Sequence, residues 1–110
     1  PELKALLTEI YRSPAVKSLV AKHDENIRTN NYRHAGYSSY LLMPPELLAR
    51  AYAQYIGTRS GSRVIQNQIS HDRDINTRMG YRSQWTDAEF EPIAREFDNV
   101  FRRRGLLRSH

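Results

Sequence analysis

Residues 44–57, PPELLARAYAQYIG, constrain this chain more than any other stretch. Leu47, Leu48, Ala51, Tyr52, Tyr55 and Ile56 recur at three- and four-residue spacing, which puts them on one wide helical face. Pro44 and Pro45 suit a helix entrance, where their missing N–H groups cost little. Gly57 is placed to end the helix. A helix this apolar on one side must be packed against other elements.

The remaining sequence supplies more helices. Leu3, Leu6, Leu7 and Ile10 form a stripe over residues 2–12. Ser13-Pro14 breaks it and starts a second, short helix, with Val16, Leu19 and Val20 on its apolar side to about Lys22. Residues 63–70 read as a helix through Val64, Ile65 and Ile69. Thr86-Asp87-Ala88-Glu89 is a capping-box sequence, and Trp85 with Phe90 is spaced as a hydrophobic staple. Phe90, Ile93, Ala94, Phe97, Val100 and Phe101 continue that stripe, and Gly105 ends it after Arg102, Arg103 and Arg104. Pro92 sits too far inside for an ordinary first turn and predicts a kink or a separate turn.

Two segments break the pattern. Residues 23–43 are polar, rich in Asn and Ser, and read as a long ordered loop or two short irregular strands. Residues 71–84 also read as irregular. The expected fold is therefore all-α, with about four to five helices and a long polar loop. One domain fits the 110 residues. The chain opens at Pro1 without a Met and reads as a fragment of a larger protein.

Composition narrows the chemistry. There is no cysteine, which removes disulfides, thiolate catalysis and cysteine zinc sites. No apolar run reaches the length of a membrane span, so no membrane partner is expected. The net charge is +5, from 17 basic and 12 acidic residues. Acids are interleaved with the arginines and no nucleic-acid motif is present, which argues against a nucleic-acid partner. His23, His34, His71 and His110 are not spaced as a helical zinc pair, and H-E-x-x-H is absent. His71-Asp72-Arg73-Asp74 reads as a solvated turn. Glu46, in the first turn after the prolines, can act through the helix dipole or pair with Arg50 four residues on.

The segment YSSYLLMPPELLARAYAQYIGTRSGS, with SQWTDAEFEPIAREFDNVF further on, covers nearly half the chain. Together they resemble domains attached to Mu-F-type phage head morphogenesis (minor head) proteins. Glu46, Leu47, Leu48, Ala49, Arg50, Ala51 and Tyr52 are similar to the third-ligand helix of lethal-factor-like gluzincins, which are zinc proteases. The resemblance implies the C-terminal subdomain of a zincin-like fold. It implies that Glu46 is a metal ligand in an intact parent that binds zinc, and that Tyr40 or Tyr37 donates to the oxyanion, although neither spacing is the family's own. The two His ligands and the general-base Glu would lie upstream of Pro1, so this chain alone would be inactive and would not hold zinc tightly, even with His34. The implied partners are the missing N-terminal part of the domain and phage structural proteins, in the bacterial host cytoplasm or the virion. A structural or interaction module in phage assembly, without catalysis, is the competing reading, and a homo-oligomer is open to it.

Overall fold

The computed structural model describes residues 2–78, 81–82, 84–103 and 105. Those residues form six helices and no strand: α1 (Glu2–Arg12), α2 (Pro14–Arg28), α3 (Tyr32–Leu41), α4 (Pro44–Ser60), α5 (Arg63–Arg78) and α6 (Asp87–Arg103). The all-α class is the one the periodicity predicts, with six helices where four to five are expected.

The difference lies in the two polar stretches. The predicted loop over 23–43 is the second half of α2, a tight turn and all of α3. Thr29 and Asn30 close the turn, with Asn30 at φ 58°, a left-handed position that Asn accepts more readily than most residues. Asn31 caps α3, its side-chain oxygen accepting from the His34 N–H at 3.4 Å. These helices escape apolar periodicity because their facing positions include Asn26 and Ser38, both buried. Residues 71–78, expected to be irregular, belong to α5 for a related reason. In that half Asn76 is buried while His71, Arg73 and Asp74 face water.

Helix α4 passes Gly57 and ends at Ser60, where Gly61 takes the left-handed cap at φ 67°. Gly57 is needed for closeness rather than for termination. A Cβ there would lie 3.1 Å from Ile69 Cδ1 and 3.2 Å from Ile65 Cγ2, so its hydrogen lets α5 lie against α4. Helix α6 continues through Pro92. Pro92 and Ala88 are both exposed, so water can take the carbonyl that the missing N–H leaves.

The main core sits around α4. Leu47, Ala51 and Tyr55 meet Leu6 and Ile10 of α1 and Ile93 and Phe97 of α6, all buried. The apolar faces of α1 and α6 pack on each other. Capping box and staple form as read: Thr86 N–H donates to Glu89 Oε1 at 3.1 Å, Glu89 N–H to Thr86 Oγ1 at 3.2 Å, and the Trp85 and Phe90 rings lie 5.6 Å apart. Trp85 is the bolt of this core. Its indole N–H donates to Ser13 Oγ at 2.8 Å, and Gln54 holds its backbone from both sides, at 2.9 and 3.2 Å. Every polar atom of that buried bolt thus has a partner, as burial requires.

A second tie joins α4 to α6 near its far end. Tyr55 O–H donates to Asp98 Oδ1 at 2.6 Å, and Arg59 forks onto the same carboxylate at 3.3 and 2.5 Å. Burial, then the bond to Asp98, pushes the Tyr55 phenol up to about 12. Burial also pushes the Asp98 carboxyl up, but the bonds from Arg59 and Tyr55 outweigh it and hold it below its ordinary value.

Candidate functional site

The α3–α4 corner brings together the three residues that the sequence singles out. Glu46 opens α4, and Tyr40 and Tyr37 lie on the last turns of α3. Leu42 and Met43 reverse the chain between them, with Met43 N–H donating to Tyr40 O at 3.1 Å. The reversal carries Tyr40 back over the first turn of α4. Tyr40 O–H donates to Glu46 Oε2 at 2.9 Å, and the Tyr37 and Tyr40 rings stack at 6.3 Å.

Arg50, one turn further along α4, completes the corner. Its Nε lies 3.6 Å from Glu46 Oε1, the i, i+4 pairing that the sequence allows, and another of its nitrogens donates to Leu41 O. The Arg50 side chain is only 11 % exposed. Burial pushes its guanidinium down, against the pull of Glu46, Tyr37 and Tyr40. The hydrogen bond to Glu46 pushes the Tyr40 phenol up, and burial does the same for Tyr37. Both phenols are therefore kept as O–H donors. Each is already committed, Tyr40 to Glu46 and Tyr37 to Asn76 Oδ1 at 2.5 Å.

Behind Tyr37 lies a polar core that sequence reasoning missed. Ser38, fully buried, donates to Ala35 O at 3.1 Å. Its oxygen also accepts from Asn26 Nδ2 at 3.3 Å and lies 2.7 Å from His23 Nδ1. Tyr81, 1 % exposed, donates to His34 O at 3.2 Å and meets Asn26 Nδ2 and His34 Nδ1, each at 3.3 Å. Asn76 ties it down, accepting from Tyr81 N–H at 2.8 Å through its backbone oxygen. The signal was present: His23 with Asn26, and His34 with Tyr37 and Ser38, recur at helical spacing, but as a polar stripe.

The histidines divide accordingly. His23 and His34 are held by Ser38 and Tyr81, His71 is exposed on α5, and His110 lies outside the described residues. His34 thus serves the polar core beside Tyr81. Among the described residues, no group of three His, Asp or Glu side chains could hold a metal ion. No helix among them is long and apolar enough to cross a membrane.

The corner is a closed ring of donors and acceptors: Tyr40, Glu46, Arg50 and the Leu41 carbonyl. It ties the end of α3 to the first turns of α4. No family model matches the chain, and no match is found among the curated proteins or the solved structures.

Proposed function

We propose that this chain is a non-catalytic helical module that works by binding another protein, in the manner of an assembly domain. One observation carries the reading: both Glu46 oxygens are engaged by donors of the chain itself, Tyr40 at 2.9 Å and Arg50 at 3.6 Å. Hydrolysis on zinc needs three protein ligands and an open position for water. The residues of this chain do not fit such a centre, since Glu46 has no second and third ligand among the described residues. By the sequence resemblance, the setting is a phage or prophage head morphogenesis protein, in the host cytoplasm or the virion, with phage structural proteins as partners.

Calorimetric titration with zinc tests this. The expected result is no binding at micromolar metal, and a loss of only about 0.5 kcal/mol of stability in Glu46→Gln, the worth of an i, i+4 pair. Stoichiometric zinc that disappears in Glu46→Gln would overturn it.

A second reading is favoured by the Tyr40 phenol lying on Glu46. A phenol beside the acid is what the gluzincin resemblance asks for. On this reading the chain is the C-terminal part of a zinc metallopeptidase-like domain, completed by an H-E-x-x-H helix elsewhere in a longer protein. In that protein Glu46→Gln lowers zinc content and hydrolysis together while folding is kept. Unchanged zinc content there removes the reading.

A further inference from the structure

Helix α4 is apolar on more of its circumference than the core covers. Beside the buried row of Leu47, Ala51 and Tyr55 runs a second row, Leu48, Tyr52 and Ile56, that is only partly covered. Two grooves flank this row. One, of about 510 Å³, lies against α1 and α6, and the other, of about 570 Å³, lies against α5. Ala49 and Tyr52 line both. Large side chains stand open on this face: Leu3 is 50 % exposed, Tyr52 47 % and Val64 79 %. A contiguous apolar surface of this kind on a small protein marks an interaction site.

We propose that the occupant is a second copy of this chain, and that the α4 helices of the two copies pack on each other about a two-fold axis. The proposal rests on the reading of the chain as a binding module and names its partner. Shape is the first argument. A two-fold interface must be complementary to itself, and a ridge between two grooves supplies both the knob and the hole. Ala49 and Ala53, both exposed, let two α4 axes approach closely.

Size is the second. Nine residues line the first groove and eleven the second, two of them shared. A stable interface takes about 20–30 residues from each side, or about 800 Å², so this face with its rim is large enough. Charge is the third. At +5, two copies repel each other wherever their surfaces are cationic. On this face only Arg50 and Asp72 are charged; they are of opposite sign, and Arg50 already lies against Glu46. Self-pairing through α4 therefore buries no excess of like charge, and a phosphate-rich partner would find no outstanding cation.

Analytical ultracentrifugation of the whole chain over a concentration series tests the proposal. The expected species at micromolar concentration has twice the 12.9 kDa mass of the chain. Ala53→Glu and Val64→Glu, both at exposed helical positions, should give monomers with unchanged helical circular dichroism. A wild-type chain that stays monomeric, or a dimer that survives both charged substitutions, overturns the proposal. A monomer that also ignores zinc leaves the module reading standing, whereas zinc binding through Glu46 removes that reading whatever the mass.

Discussion

The core around α4 and the core between α2 and α3 are filled with opposite chemistry. The first is Leu, Ile, Ala and aromatic rings, with polar groups at the Trp85 bolt and at the Tyr55 hydroxyl that reaches Asp98. The second has a small apolar cluster, Leu19, Leu41 and Tyr81, backed by Ser38, Asn26, His23 and His34. An apolar core is non-directional, so it penalises missing volume. A polar core is directional, so it penalises a missing partner even where volume hardly changes. The two should therefore fail in different ways.

The largest effect belongs to the apolar core. Leu47 is completely buried, and Leu47→Ala should cost about 2–5 kcal/mol, from lost burial and the cavity left behind. Urea unfolding followed by circular dichroism measures it. A cost below about 1 kcal/mol would mean that α4 is not the centre of the fold. The polar core should show a smaller loss from a far smaller change. Tyr81→Phe removes one oxygen and strands the hydrogen-bonding groups of Asn26 and His34, at about 1–3 kcal/mol. If that variant is as stable as the wild type, the Tyr81 hydroxyl adds nothing to the polar core.

The mildest test uses pH. The Asp98 carboxyl is depressed below 3.8 despite its burial, and the bond from Arg82 holds that of Glu89 below 4.5. Depressed acids contribute stability in full above their unfolded-state values, and lose it as pH falls through the lower folded ones. Thermal midpoints should thus be flat near neutrality and fall as pH drops below about 4.5. Asp98→Asn should soften that fall and cost about 1 kcal/mol at neutral pH, a value discounted because Arg59 is 41 % exposed. A midpoint that rises on acidification would remove the Arg59–Asp98–Tyr55 tie as a stabilising element.

The same contrast explains what could be read in advance. Helices α1, α4 and α6 carry apolar stripes, and α6 carries its cap and staple in adjacent letters, so their existence was legible. Helix α3 was not, because Ala35, Ser38 and Leu41 are its buried positions and Ser38 reads as a loop residue until Asn26 and His23 face it. Gly57 was misread as a stop because its role, the approach of Ile65 and Ile69, belongs to another helix. At the corner, the pairing of Glu46 with Arg50 follows from helical spacing alone. The Tyr40 bond to Glu46 needed the turn at Leu42 and Met43 to bring the ring back.

The order of apolar residues by itself settled the helical class and the apolar faces of α1, α4 and α6, because a 3.6-residue period is local and burial is the only way to satisfy it. Tertiary contact decided which polar residues became interior, where α4 and α5 ended, and which half of the α4 apolar face stayed open. Those outcomes depend on partners distant in sequence, since a hydroxyl or an amide is tolerated inside only when another segment arrives to complete its hydrogen bonds.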